Sequence, residues 1–182
     1  MDRRQRKTRN AIFEAFISLL SERSYERITV EQIIGRADVG RATFYAHFET
    51  KEFLLMALCE ELFAHVFPES VESTAHSHIF DCDVPDSAFL HLFQHVQKND
   101  NHILDLLSSQ NNELFLRCFK ENLIRLVRSQ LVLFEDRKAP ELPENFWVDH
   151  IVSSFVESVR WWIDNGMKET PETMAKYFFL SV

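Results

Sequence analysis

The sequence has 182 residues, 46% of them apolar, and its 28 acidic and 20 basic side chains give a formal charge of −8. Seventeen Phe and three Trp exclude a disordered chain, because that much apolar surface must be buried. The acidic balance argues against nucleic acid as a partner, since DNA-binding surfaces carry excess positive charge. Three glycines leave little material for tight β-turns, so we expect an all-α fold.

The cysteines and the hydropathy pattern bear on the cellular compartment. Cys59, Cys82 and Cys118 are widely spaced and form no CxxC pair, which is typical of a reduced, intracellular chain. The first residues do not have the pattern of a cleaved secretion signal, and no run reaches the roughly 18 apolar residues of a membrane span. We therefore expect a cytoplasmic protein without a membrane partner.

The first predicted helix covers about residues 8–24, where apolar side chains recur at helical spacing. A basic run precedes it, which is consistent with an arm that lies on a phosphate backbone. The side chains of this run that we assign to DNA are Arg3, Arg4, Arg6 and Lys7.

Two short helices are predicted next, over residues 30–37 and 41–47. The first has a clear start, because Thr29 and Gln32 have the spacing of a capping box. Three residues separate the two helices. This is the dimension of a helix-turn-helix, in which the second helix enters a DNA major groove.

The second of these helices has one apolar and two polar ridges at i, i+4 spacing. The pairs that form them are Phe44 with Phe48, Arg41 with Tyr45, and Thr43 with His47. We expect the phenylalanines to face the core. The guanidinium, phenol, hydroxyl and imidazole groups are suited to contacts with bases and phosphates.

Lys51 follows Thr50, a natural N-cap, and so lies in the first turn of a helix predicted over 51–67. A cation at that position opposes the helix dipole. A phosphate docked there would make the cation stabilising at this position, because backbone amides and the ammonium would both face an anion. Between a solvated lysine and a phosphate contact, we favour the phosphate contact.

The charge is unevenly distributed along the chain. Residues 1–51 hold ten Lys and Arg against seven Asp and Glu, a net charge of +3, which leaves −11 on residues 52–182. The acidic total therefore combines two regions of opposite sign. It does not exclude a nucleic-acid contact made by the N-terminal region.

The rest of the chain also has helical periodicity. Gly166 lies where a helix-ending glycine is expected, and Thr170 and Pro171 have the pattern of an N-cap and first helical residue. Residues 69–83 are predicted to form a loop or linker. The further predicted helices cover 86–98, 101–109, 113–134, 144–165 and 171–180.

The stretch from Thr29 to Leu55 resembles the DNA-binding domain of the tetracycline-repressor (TetR/AcrR) family. The signature that carries the resemblance is Thr43-Phe44-Tyr45-x-His47-Phe48-x-x-Lys51-Glu52-x-Leu54, and the match covers about the first 60 residues. The resemblance implies an all-α protein with an N-terminal three-helix helix-turn-helix DNA-binding domain at 1–50. Residues 51–182 would form a C-terminal helical regulatory domain for dimerisation and ligand binding.

The same resemblance implies roles for single residues. Arg41, Ala42 and Tyr45 correspond to base-reading positions, whereas Thr43, Tyr45, His47 and Lys51 correspond to phosphate-contacting positions. Thr29 and Arg36 correspond to further contacts on the preceding helix. The sequence departs from the family pattern where Asp38 replaces the turn glycine, Gly40 replaces the serine cap of the recognition helix, and Ala42 replaces a frequent glycine. We include Gly40 in the expected DNA-binding set.

The resemblance also implies a homodimer, and we place its interface on the last two predicted helices. The residues expected there are Trp147, Ile151, Phe155, Val159, Met174, Tyr177 and Phe178; the alternative is that they fill a core within one chain. A small-molecule inducer would occupy a pocket among the middle helices. Its expected lining is Phe89, Phe93, Leu104, Phe115, Phe119 and Trp161, although such aromatic stripes are more often plain core.

Histidines in the middle of the chain raise the question of a metal. His76, His78 and Cys82, with His91 and His95 at i, i+4 spacing, could compose a site. No set has a diagnostic spacing, so we interpret them as solvated loop and helix-surface residues and expect no metal and no cofactor. The sequence has no nucleophile motif, phosphate-binding glycine loop or Glu-x-x-His iron set, and we expect no enzyme.

We therefore expect a homodimeric DNA-binding transcriptional regulator, in the simplest case a repressor released by a small-molecule or protein signal. Its two recognition helices would enter successive major grooves about 34 Å apart on a quasi-palindromic duplex operator. Two alternatives stay open at this point. The protein could be an activator or partner-protein-responsive regulator of the same fold, or a helical adaptor that does not bind DNA.

Overall fold

The computed structural model describes residues 3–66, 87–98, 106 and 113–182, and no β-strand occurs within these ranges. The N-terminal part begins with α1 (Arg3–Leu20) and a 3-10 turn (Tyr25–Arg27). The helices that follow are α2 (Val30–Ala37), α3 (Arg41–His47) and α4 (Lys51–Val66). The all-α fold and the bounds predicted for α2 and α3 are confirmed.

The C-terminal part consists of helices joined by short turns within its described ranges. Its elements are α5 (Ala88–Lys98), α6 (Glu113–Ser129), a second 3-10 segment (Leu131–Arg137), α7 (Glu144–Asp164) and α8 (Pro171–Ser181). The loop predicted over 69–83 and, apart from the buried Leu106, the helix predicted over 101–109 lie outside the described residues.

The bounds predicted for the first helix were wrong at both ends. α1 begins at Arg3, so the basic run forms its first turns and is not an extended arm. Arg, Gln and Lys are good helix formers, which accounts for the earlier start. The helix ends at Leu20, before residue 24, and the chain then turns so that the ring of Tyr25 meets that of Phe16 at 6.3 Å.

The helix predicted over 113–134 was also too long. α6 ends at Ser129, and the chain continues as the 3-10 segment. This change of winding accompanies the burial of Phe134, whose side chain is fully inaccessible and whose ring stacks on that of Phe179 with 5.7 Å between centroids. Tertiary packing therefore determines the end of this helix.

The caps predicted from the sequence are present. The Thr29 hydroxyl accepts a hydrogen bond from the Gln32 amide at 3.3 Å, and the Gln32 side chain accepts one from the Thr29 amide at 3.0 Å. Asp38 adopts the left-handed conformation (φ 51°, ψ 48°) that the turn requires. Gly166 has φ 74° at the end of α7, and the Thr170 hydroxyl caps α8.

Helix α4 connects the N-terminal helices to the C-terminal ones. α1 packs on α2 and α2 on α3, whereas α4 packs on both α5 and α6. α5 and α7 pack on α8, and one continuous apolar core runs from Ile12 to Val182. Within the described residues, no helix combines the length and apolar character needed to cross a membrane.

Candidate nucleic-acid interface

The phenylalanine ridge anchors α3 to the core, as predicted. Phe44 is fully buried and Phe48 nearly so. The Phe48 ring meets the ring of Phe13, on α1, edge-on at 5.4 Å and lies 6.0 Å from that of Phe44. Aromatic packing on α1 therefore fixes which face of α3 points outward.

The outward face of α3 carries the polar residues singled out in the sequence. The Arg41 side chain is 62% exposed and Tyr45 is 44% exposed. Gly40, Ala42 and Thr43 are also exposed, whereas His47 is partly buried. The contact between Arg41 Nη1 and Glu31 Oε1, at 3.5 Å between two exposed side chains, is a weak tether. The guanidinium can therefore turn to an external ligand.

The four basic residues assigned to DNA are exposed on the first two turns of α1. They are Arg3, Arg4, Arg6 and Lys7, and no acidic residue lies in the first turn of that helix. Arg9, one turn further on, has a different environment. Its guanidinium lies over the ring of Phe13 at 4.6 Å and forms an ion pair with Glu61 of α4. Sequence spacing did not identify this link between α1 and α4.

Thr29 and Arg36 are engaged within the protein. The Thr29 hydroxyl serves the capping box of α2. The Arg36 guanidinium donates to both carboxylate oxygens of Glu22, at 2.5 and 3.0 Å, and to the Ser18 hydroxyl at 3.0 Å. The hydrogen bond from Arg36 lowers the pKa of Glu22. In this structure both residues brace α2, and the Arg36 contacts join it to the end of α1.

The structure gives Lys51 partners within the protein. Its ammonium donates to the backbone carbonyls of Tyr25 and Ile28, at 2.9 and 3.0 Å, and lies 4.1 Å from the centroid of the Tyr25 ring. Thr50 caps α4 through a hydrogen bond from the Phe53 amide to its hydroxyl, as expected. Two carbonyls and an aromatic face thus accommodate the cation at this helix start, without a phosphate.

The aromatic residues proposed for an inducer pocket pack against one another. Phe89, Phe93, Phe115 and Phe119 are all buried to 1% exposure or less. Their rings meet partners such as Phe178, 5.1 Å from Phe89, and Phe155, 4.7 Å from Phe93. Trp161 is exposed, away from any such lining, and Leu104 lies outside the described residues. The four phenylalanines therefore fit the alternative interpretation, in which they form part of the protein core.

The dimer ridge predicted on α7 and α8 is also mostly intrachain core. Six of its seven residues are buried within the chain: Trp147, Ile151, Phe155, Val159, Met174 and Phe178. Phe155 and Phe178 meet the rings of Phe89 and Phe93 of α5, a pairing that sequence spacing does not indicate. Tyr177, the seventh, is exposed. The other large apolar side chains exposed on these two helices are Phe146, Trp161 and Leu180.

Two histidines predicted to be solvated are buried. His91 and His95, on α5, are each only 1% exposed. The ring of His65, in the last turn of α4, lies 5.1 Å from each of theirs. The sequence analysis missed His65, because it lies 26 positions before His91 and meets it only through the packing of α4 on α5.

Comparison with known proteins places both parts of the chain in one family. Residues 12–58 match the model of bacterial regulatory proteins of the tetR family, and residues 83–182 match a C-terminal region of transcriptional regulators.

Two curated relatives come from Bacillus subtilis (strain 168), the uncharacterized HTH-type transcriptional regulators YxbF and YvdT. YxbF is 38% identical over 71 residues, which are 36% of this chain and 19% of that protein. YvdT is 29% identical over 58 residues, 32% of this chain and 30% of that protein. The chain thus spans less than a third of either relative.

Solved structures match over the whole chain. A TetR transcriptional regulator from Streptococcus agalactiae 2603V is 38% identical with a TM-score of 0.76, and the match covers 100% of this chain and 96% of that one. The fatty acid degradation regulator FadR from Bacillus halodurans shares the fold, with a TM-score of 0.60 at 20% identity over 95% of this chain and 93% of that one. From these matches in sequence and fold, the chain belongs to the TetR family of bacterial regulatory proteins.

Proposed function

We propose that the protein is a homodimeric transcriptional regulator that binds duplex DNA through α3 and represses transcription. The observation that carries this proposal is the division of α3 into two faces. Phe44 and Phe48 hold it against α1, while the side chains of Arg41 and Tyr45 are exposed. A helix-turn-helix needs this arrangement, because its second helix must be rigidly held and must also present donors to base edges.

Roles within the interface follow from the contacts of each side chain. We assign base contacts to Arg41 and Tyr45, with Gly40 and Ala42 allowing the backbone to approach closely. Thr43, His47 and the exposed basic residues at the start of α1 would contact phosphates. Thr29, Arg36 and Lys51 would act mainly as positioning residues, since their polar groups are engaged by the protein.

A signal would reach α3 through α4. Lys51, at the start of α4, is bonded to the segment that precedes α2, and Glu61, further along, is paired with Arg9 of α1. A displacement of α4 by a bound ligand or partner would therefore move the N-terminal domain, which we place at residues 1–50. In a dimer this would change the separation of the two recognition helices from the approximately 34 Å that successive major grooves require.

Fluorescence anisotropy with duplex DNA from the region upstream of the gene tests the proposal. We expect Arg41→Ala and Tyr45→Ala each to weaken binding about 10-fold or more, because each removes base contacts. Thermal unfolding should be unchanged, since both side chains project into solvent. Arg128→Ala, at an exposed position on α6, is the matched control and should bind DNA like the unmodified protein.

The same measurement separates the competing functions. A helical adaptor would show no DNA binding in any of the four proteins. That result, or equal affinity in all four, would overturn the proposal. A reporter gene placed behind the bound sequence then distinguishes repression from activation. Repression predicts higher expression for Arg41→Ala than for the unmodified protein.

A further inference from the structure

Three histidine side chains converge where the end of α4 meets α5. The Nε2 atoms of His91 and His95 are 3.1 Å apart, and one ligand nitrogen from each of His65, His91 and His95 lies within 4.8 Å of the others. The three ring centroids are 4.7–5.1 Å apart. An i, i+4 pair on one helix and a third imidazole from another helix thus form one cluster.

Two members of this cluster are buried. His91 and His95 are each 1% exposed, and the same helix also buries Leu92 and Val96. Buried polar groups need partners, and here the two Nε2 atoms face each other at 3.1 Å. Burial first, and then the neighbouring His95 and His65, lowers the pKa of His91 to about 4. Neutral imidazole is the form that coordinates metals.

The spacing of the nitrogens fits a transition metal. Two histidines bound to Zn²⁺ at about 2.0–2.1 Å in a tetrahedron have nitrogens about 3.4 Å apart. The 3.1 Å between His91 and His95 is close to this, and the ligand nitrogens of all three histidines lie within 4.8 Å of one another. Three imidazole donors suit Zn²⁺, Cu²⁺ or Ni²⁺, and they do not suit Mg²⁺ or Ca²⁺, which prefer oxygen ligands.

We propose that His65, His91 and His95 form a binding site for a divalent transition-metal ion of the Zn²⁺ type. His65 is only partly buried, whereas His91 and His95 are buried. Three protein ligands leave a fourth tetrahedral position for water or a small ligand. The ion cross-links the last turn of α4 to α5.

The site has a regulatory consequence that rests on the proposed DNA-binding function. α4 begins at Lys51, beside the segment leading into the helix-turn-helix, and ends next to the cluster. A metal that fixes the end of α4 to α5 therefore restricts the positions that the whole of α4 can adopt. We expect bound metal to change DNA affinity by about 5-fold or more, the usual range for coupling between two sites.

Competition with a chromophoric zinc chelator tests the site on the untagged full-length chain, without DNA. We expect one Zn²⁺ per chain, and about 100-fold weaker binding in His65→Gln and in His91→Gln. His150→Gln, which changes an exposed histidine on α7, is a matched control and should bind normally. The triple variant H76Q/H78Q/C82S removes the other candidate donors near the cluster in sequence, and it should also bind normally.

Two results would overturn the site. One is Zn²⁺ affinity in His65→Gln and His91→Gln that stays within 3-fold of the unmodified protein, and the other is loss of binding in the triple variant. Circular dichroism checks folding. If His91→Gln does not fold, His65→Gln decides the question, because its side chain is only partly buried.

DNA binding with and without Zn²⁺ is measured separately. Equal affinity in the two conditions would overturn the regulatory consequence and leave the metal site standing. Absence of DNA binding in both conditions would instead contradict the proposed function, and the chelator titration would still decide the site.

Discussion

The ammonium of Lys51 lies over the ring of Tyr25 and also donates a hydrogen bond to the Tyr25 backbone. Its Nζ lies 4.1 Å from the centroid of the Tyr25 ring and donates to the Tyr25 carbonyl at 2.9 Å. A second bond, to the Ile28 carbonyl, satisfies a backbone group at the end of the 3-10 turn. Burial lowers the pKa of Lys51, and burial together with Glu52 raises that of Tyr25. One cation thereby joins α4 to the segment that leads into α2.

Replacing this cation should affect folding more than the electrostatics of DNA binding. We expect Lys51→Met, which keeps the aliphatic stem, to lower the free energy of unfolding by about 2 kcal/mol, because two charge-assisted hydrogen bonds and a cation–π contact are lost. Denaturant unfolding measures this loss. The dependence of DNA affinity on salt should keep its slope, since no phosphate contact is removed.

Arg4→Met is the matched comparison for that experiment. Arg4 is exposed on α1, and we assign it to a phosphate, so its loss should reduce the salt slope by about 0.9 for each contact removed and leave stability unchanged. If Lys51→Met instead reduced the slope and left unfolding untouched, Lys51 would be a phosphate contact, as its position at a helix N-terminus first suggested.

Local signals predicted α2 and α3 well, and tertiary contacts account for much of what they missed elsewhere. The capping box at Thr29 and the left-handed turn at Asp38 depend on residues a few positions apart, so the bounds of α2 and α3 could be read directly. Arg36 and Lys51 find partners 14 and 26 positions away, which no spacing rule indicates. His65 was missed for the same reason.

In the C-terminal part, periodicity identified apolar ridges but not what they face. The ridge containing Phe155 has the pattern of either a dimer interface or a core. Its ring lies 4.7 Å from that of Phe93 and 5.3 Å from that of Phe178, both within the same chain. A single sequence does not tell such contacts from those with a second chain, because both bury the same kind of surface.

Two glycines in contrasting conformations give a test of backbone energetics. Gly35 lies inside α2, and a Cβ added there would meet no atom within 4 Å. We expect Gly35→Ala to stabilise the protein by about 0.5–1 kcal/mol, because alanine restricts the unfolded chain and favours the helix.

Gly166 should respond in the opposite direction. It also has open space around its Cα, but its φ of +74° is one that alanine adopts only with strain. We expect Gly166→Ala to destabilise the protein by about 1 kcal/mol in the same denaturant titration. Equal shifts in both variants would contradict the conformation given for the end of α7.

The exposed apolar residues of α7 and α8 provide the last test, which concerns the dimer. Trp161 and Tyr177 remain 45% and 48% exposed in the single chain, although large aromatic side chains are usually covered. If a second copy covers them, the double variant Trp161→Glu, Tyr177→Lys should sediment as a monomer while its helical content is unchanged. DNA binding should weaken as well, because each monomer reaches only one half-site.

Phe155→Ala distinguishes that effect from a general loss of stability. Phe155 is fully buried, so truncation should cost about 3–5 kcal/mol of folding free energy by opening a cavity. At temperatures where this variant is still folded, it should remain dimeric in sedimentation velocity. If the double surface variant stayed dimeric, Trp161 and Tyr177 would not belong to the dimer interface. If Phe155→Ala were folded and monomeric, the dimer interface would include the buried ridge of α7 and α8. Loss of the Phe155 side chain would then have broken contacts between chains.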